Sequence, residues 1–323
     1  MAKVDYSVLQ VGQSLQVECD GVYYSADVVS VSTAKKRSKA PVKVHYRGYG
    51  SDWDEFVGAD RIRSKALKAG KQAAEAKPAK KKGDKSEGKS EAKPRQPLTF
   101  EMGYWGIRGL GAVMRMILEY KEVKYTDKQY TDGESWFKED KPKILEKNPL
   151  ANLPYLVCGE TVVCQTNSIL NYLTQKLRLG QYGKVGLMND QLLCEIYDVR
   201  NGMIDLVYPF KKVNRTEEEY KESATKLADS PPFAKFEAWF EKYGTDYLTG
   251  SKPNTSDFHL WEMLDQHKIL SERLEKPSIF EKFPKCKAFY ERFRALPTLQ
   301  KYFESDAYKL PINNKAMANA YFA

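Results

Sequence analysis

Tyr104 stands at the end of an apolar run, with Gly106 and Gly109 directly after it. A phenol at the end of a strand, beside a glycine-rich turn into a helix, is placed to donate a hydrogen bond to an anionic nucleophile. A peptide thiol needs such help, because its pKa of about 8.5 leaves little thiolate at pH 7. Gln165-Thr166 lies where a strand gives way to a helix, and the free N–H groups of a helix start favour a carboxylate. Taken alone, that pair is no more than a cap. Tyr208, at the end of a helical stretch, reads as an aromatic that closes a helix bundle. A separate group of rings, Tyr24, Tyr46, Tyr49 and Trp53, serves to pack a small domain that has few other core residues. Metal chemistry is not indicated. The five cysteines (Cys19, Cys158, Cys164, Cys194, Cys286) are odd in number, scattered and without a CxxC, and the three histidines form no ligand pattern.

The elements that must position these residues fall into three parts. Net charge is +9 over 323 residues, but 11 basic and 4 acidic residues sit within 64–97 alone, a net +7. That segment has no aromatic residue and is rich in Lys, Ala, Glu, Gly, Ser and Pro, so it cannot bury enough apolar surface to offset its ordering entropy. It reads as a basic disordered linker. Before it, alternating runs at 14–17, 23–31 and 42–46 predict short strands in a module spanning 1–63. After it come a strand (98–104), a helix (110–120), a strand (123–130), two strands across Gly159-Glu160 (153–158 and 161–164) and a helix (167–176). Beyond Met188 only amphipathic helices are evident, such as 190–207 and 230–243. The expected boundaries are therefore 98–182 for an α/β subdomain and 183–323 for an all-helical one. No apolar run reaches about 18 residues and the first residues lack the apolar core of a signal peptide, which disfavours a membrane span and secretion. Cytoplasm is expected, with the nucleus as the alternative.

Three motifs carry a resemblance over about 98–323. Met102-Gly103-Tyr104-Trp105-Gly106-Ile107-Arg108-Gly109-Leu110, Asn152-Leu153-Pro154-Tyr155-Leu156 and Gln165-Thr166-Asn167-Ser168-Ile169-Leu170 are similar to the glutathione-binding subdomain of cytosolic glutathione transferases, with the mu class closest. The resemblance implies a thioredoxin-like α/β subdomain followed by an all-α subdomain. It also implies a homodimer and glutathione as co-substrate, joined to small apolar electrophiles, with no other cofactor. By the same resemblance Tyr104 donates to the glutathione sulfur and Leu153-Pro154 is a cis peptide that turns its backbone to the cysteinyl part. Thr166, with Gln165 beside it, binds the γ-glutamyl carboxylate, while Trp105, Leu110, Trp136 and Asn152 line the peptide. Here the sequence departs: the stretch from Trp136 to Asn152 differs from the mu-class one by about three residues, being longer, and the lysine expected four places after Trp136 is Asp140. Lys141 is taken for the glycyl carboxylate, with Lys138 as the alternative. Asp198 would reach glutathione in the neighbouring subunit, in competition with Asp205, and Tyr208 would overlook the electrophile. Asn254 and Asp257 are expected to cap a helix.

The run from Val42-Lys43-Val44-His45-Tyr46 through Trp53-Asp54-Glu55-Phe56-Val57 resembles tudor-knot or chromo-barrel domains over about 6–63, implying a small SH3-like β-barrel. Several members hold methylated lysine in an aromatic cage, and Tyr24, Tyr46, Tyr49 and Trp53 are the matching candidates, with Asp20 only roughly in place of a polar cage residue. Lys35-Lys36-Arg37 and the linker would instead attract nucleic acid, weakly selective and sensitive to salt. The alternative to an enzyme is an interaction protein that keeps the transferase fold as a dimerisation platform and binds chromatin or RNA through the barrel.

Overall fold

In the first strands every second side chain turns inward: Leu15 and Val17 from β1 (Ser14–Cys19), and Val42, Val44 and Tyr46 from β3 (Val42–Tyr46). The computed structural model describes residues 5–19, 22–34, 37–47, 54–64, 67, 99–179, 183–208 and 216–313. The expected cage residues Tyr49 and Trp53, Asp20, Lys35-Lys36 and nearly all of the basic linker lie outside them. Packing divides the chain into two units, 1–93 and 94–323. In the first, β1, β2 (Val22–Val31), β3, β4 (Glu55–Val57) and β5 (Ile62–Arg63) form one sheet in the order β4-β3-β2-β1-β5, every neighbour antiparallel. The strand pairs Leu15↔Ala26 and Val28↔Val44 bring these buried side chains together on one face. The last two strands are too short to alternate, so no run in the sequence announces them.

In the second unit β6 (Phe100–Trp105), α1 (Gly111–Tyr120) and β7 (Tyr125–Tyr130) form a βαβ unit with β6 and β7 parallel. The hairpin β8 (Tyr155–Cys158) and β9 (Thr161–Cys164) completes a sheet in the order β7-β6-β8-β9, and α3 (Thr166–Leu177) follows. Between β7 and β8, where the pattern gives no element, a π-helical turn (Ser135–Asp140) runs into α2 (Lys141–Lys147). It escapes a periodicity search because only Trp136, Asp140 and Ile144 are buried along it.

The helical part holds α4 (Gly183–Val207), α5 (Glu217–Asp229), α6 (Ala234–Tyr243), α7 (Thr255–Arg273), α8 (Pro284–Arg294) and α9 (Gln300–Glu304). Every residue of α7 from 255 to 267 is buried, so this helix presents no polar stripe to water. Its start is the expected cap: Asn254 Oδ1 accepts from Thr255 N at 2.8 Å, and the Asp257 carboxylate accepts from Asn254 N and Leu248 N at 2.8 and 2.7 Å. Burial pushes that carboxyl up to about 7 while these amides pull it down. Among the described residues no helix is long and apolar enough to cross a membrane.

Two histidines inside this bundle tie stability to acidity. Burial pushes the His259 and His267 imidazoles down to about 3, with Arg200 adding to the effect at His259. A group whose folded pKa is depressed loses stability as pH falls below its unfolded value, here about 6.5, until the folded value is reached. Each site should therefore cost about 2 kcal/mol between pH 7 and pH 5. His267, packed edge-on against Phe233 at 5.0 Å, is the simpler to test. Urea unfolding of His267→Gln at the two pH values should show a pH-dependent loss smaller than that of the parent by about this amount. Equal losses would mean that the imidazole is protonated in the folded bundle.

Candidate functional site

β6 delivers Tyr104 to the base of the loop 106–110, where it is 6% exposed. Gly109 closes under it at φ +37°, and a Cβ there would lie 2.9 Å from the Tyr104 hydroxyl oxygen, so the position demands glycine twice over. Gly111 is equally tight: a Cβ would approach the ring to 2.7 Å. Beneath the loop the buried Arg115 donates from Nη1 to the Ile107 carbonyl at 2.8 Å and pairs with Asp127 through Nε at 2.8 Å and Nη2 at 3.2 Å. Burial raises the Tyr104 phenol above its ordinary value. Arg200 opposes this, as do the Leu110 backbone N–H and Arg115. The outcome is a phenol that keeps its proton at neutral pH in a setting of positive charge. It is a hydrogen-bond donor, and not a base.

Arg200 is the functional neighbour that sequence reasoning missed. It stands on α4 with its guanidinium 5.3 Å from the Tyr197 ring, on the stretch whose Ile196 and Val199 share the apolar cluster of Tyr104. The signal was there only as an i, i+3 pair of Tyr197 and Arg200, a pairing common on helix surfaces. Tyr208, expected to overlook the electrophile, packs instead in a different cluster with Met203, Leu206, Tyr220 and Leu270. Asp198 and Asp205 are both exposed.

The remaining site residues lie at the ends of β8 and β9. Leu153-Pro154 is cis, as expected. Asn152 Oδ1 accepts from Leu153 N at 2.9 Å, and Trp105 packs against the cluster that holds Leu153. Leu110 is buried beside Tyr104 in the main apolar cluster. Gln165 precedes α3 at φ +73°, a conformation that costs a non-glycine residue energy and recurs at ligand sites, while Thr166 is buried at the first helical position.

One expected lining residue is placed otherwise. Trp136 is 1% exposed, stacked on Tyr155 at 5.9 Å and tilted against Tyr130 at 5.3 Å, so its ring is core and offers no surface to a peptide. The π-helical turn is the reason, since its extra residue rotates the next side chain outward. That side chain is Phe137, 56% exposed and 6.2 Å from the Trp105 ring, with the Lys141 ammonium 5.5 Å from its centre. Asp140, where the lysine was looked for, points inward. It accepts from Tyr130 at 2.9 Å and Lys143 at 3.0 Å and pairs with Lys128; burial opposes its ionisation, but these donors hold the carboxyl down to about 2. Lys138 is bound to Glu134 at 2.7 Å, whereas Lys141 forms no ion pair among the described residues.

In the first unit Tyr46 is buried, with its hydroxyl donating to Glu55 Oε1 at 2.7 Å, and Tyr24 meets its ring edge-on at 6.0 Å. Arg61 grips Glu55 through two nitrogens at 2.6 and 2.9 Å and thereby holds its carboxyl below the usual range, against the effect of burial. Among the described residues no group of three or more His, Cys, Asp or Glu could hold a metal ion.

Comparison with known proteins agrees with this geometry. The glutathione S-transferase N-terminal domain family matches residues 100–175, and a glutathione S-transferase C-terminal domain family matches 197–306. Glutathione S-transferase Mu 3 of Homo sapiens is 32% identical over 222 residues, covering 66% of this chain and 92% of that protein. Glutathione S-transferase Mu 6 of Mus musculus is 33% identical over 214 residues, covering 64% and 91%. Among solved structures, the glutathione S-transferase Blo t 8 superposes with a TM-score of 0.56 at 26% identity over 66% of this chain and 96% of that one. A Pi-class glutathione S-transferase of Onchocerca volvulus gives 0.54 at 25% identity, covering 68% and 99%. With its neutral phenol, cis-proline turn and helical bundle in one unit, the chain belongs to the glutathione S-transferases and is a transferase that takes glutathione as its co-substrate.

Proposed function

We propose that Tyr104 activates glutathione by donating its hydroxyl hydrogen to the sulfur, so that the thiolate attacks a small apolar electrophile. A new carbon–sulfur bond forms as the leaving group departs with its electron pair, or as the pair of a polarised double bond moves onto the acceptor. The observation that carries this reading is the buried phenol that keeps its proton beside Arg115 and Arg200. Asn152, Leu153 and Pro154 would meet the cysteinyl part, and Gln165 and Thr166 the γ-glutamyl carboxylate. Phe137 and Lys141 would take the glycyl end, since together they have the aromatic-to-lysine spacing of four that Trp136 lacks. That spacing removes the departure on which the non-catalytic alternative rests. We place Asp198 at the partner subunit's site in a homodimer. For the first unit we propose a tudor-knot or chromo-barrel module, supported by the five-stranded antiparallel order and by the Tyr24–Tyr46 ring pair. Since Tyr46 is buried and tied to Glu55, packing explains its ring as well as a cage does.

Tyr104→Phe should raise the pKa of the bound thiol by about one to two units, the equivalent of the ~1.5–3 kcal/mol of a hydrogen bond to a charged group. Conjugation to a chloro-dinitrobenzene acceptor should fall most at pH 6.5 and recover towards pH 9, with the melting temperature unchanged. Parent-like rates at pH 6.5 would exclude this hydroxyl as the activator. Lys141→Ala should raise KM for glutathione by about tenfold, the worth of one charge-assisted bond, and leave kcat nearly alone; Lys138→Ala should change neither. The reverse pattern would return the glycyl carboxylate to Lys138. Finally, the full chain and a chain limited to residues 98–323 should be titrated with trimethyl-lysine peptides and with DNA and RNA. Affinity for either ligand should be confined to the full chain, and nucleic-acid affinity should fall steeply with salt. Equal binding by the shorter chain would place the interaction in the transferase.

A further inference from the structure

The loop that seats the Tyr104 hydroxyl is held from outside its own subdomain. The Arg108 N–H donates to the Pro311 carbonyl at 2.7 Å and the Gly109 N–H to the Ile312 carbonyl at 3.1 Å, with Ile312 and Asn313 buried. Arg108 itself is buried, and its guanidinium reaches α7 with Nε at 3.1 Å and Nη2 at 2.8 Å from the Glu262 carboxylate and Nη2 at 2.6 Å from Asp265. Tyr308 closes the arrangement. Its ring lies 4.7 Å from the guanidinium, and its hydroxyl donates to Asp265 at 3.3 Å, beside Tyr290 at 2.6 Å. One segment, 308–313, therefore holds both the main chain and the side chain of the loop on which Tyr104 rests.

We propose that residues 308–313 act as a latch on the catalytic loop, and that Arg108, Asp265 and Tyr308 are positioning residues for the Tyr104 hydroxyl. The proposal rests on the reading of Tyr104 as thiol activator. Two carbonyls fix the two amides just before Leu110, and a Cβ on Gly109, the second of them, would lie 2.9 Å from the Tyr104 hydroxyl oxygen. Freeing them lets the loop relax away from the ring, since hydrogen bonds weaken steeply with lost alignment. The glutathione-binding residues at 152–154 and 165–166 belong to other segments. Loss of the latch should thus impair activation while capture of the peptide persists, a division expected when only an interaction with the charged sulfur is lost.

The test compares the full chain with one ending at residue 310 and with Tyr308→Ala. The pKa of the bound thiol is read from the absorbance of its thiolate, together with kcat and KM for glutathione. The shortened chain should show a thiol pKa raised by about one unit and, at pH 6.5, a tenfold lower kcat, because below its pKa the thiolate fraction falls tenfold per unit. KM for glutathione should stay within about twofold. Tyr308→Ala should move the same quantities in the same direction by less, and it carries the test if the shortened chain does not fold. Adding Tyr104→Phe to the shortened chain should cause little further loss, as expected of residues acting as a unit. A parent-like thiol pKa in both variants, with Tyr104→Phe alone impaired, would overturn the latch and leave the tyrosine in place. A parent-like thiol pKa in Tyr104→Phe alone would overturn the tyrosine and the latch with it.

Discussion

The structure of the transferase unit turns on keeping one phenol buried and protonated in a setting of positive charge. A tyrosine in water is neutral at pH 7 without help, but it is also solvated, and its hydroxyl spends its hydrogen bonds on water. Burying the Tyr104 ring removes that competition and raises its pKa, while the nearby Arg115 and Arg200 keep the local potential positive although the phenol does not ionise. Nearly every local oddity follows from this requirement. Gly109 and Gly111 exist to let the ring sit against the turn, and Arg115 is buried with Asp127 as its counter-ion to hold the Ile107 carbonyl from below.

Much of this was legible in the residues. Apart from the π-helical turn and α2, the strands and helices of 100–177 lie within a few residues of where alternation and turn signals put them, because a βαβ unit and a hairpin have strong local patterns. The cap of α7 could be read from Asn254 and Asp257, but the helix it starts could not be read as a surface helix, since 255–267 is buried on all sides and carries His259, Glu262 and His267 inside. Polar residues in that pattern look solvent-facing until their partners are known, and Glu262 finds Arg108 from 154 residues away.

The site was less legible than the fold where a register shift intervened. Counting four from Trp136 lands on Asp140, and nothing in the sequence says that the helix there is of the π type. One added residue per turn sends the tryptophan into the core beneath Tyr155 and brings Phe137 out beside Trp105. Arg200 was hidden for a different reason: its importance comes from the packing of α4 near Tyr104, which no local pattern encodes.

The cluster around Arg108 has an unusual composition, with one guanidinium facing two carboxylates and the excess anion satisfied by Tyr290, Tyr308 and Gln266 in place of a second cation. Neutral donors inside a protein are not exchanged for dissolved ions, so added electrolyte has little purchase on this junction. Salt that screens exposed pairs at the surface should leave the link between Arg108 and α7 in place.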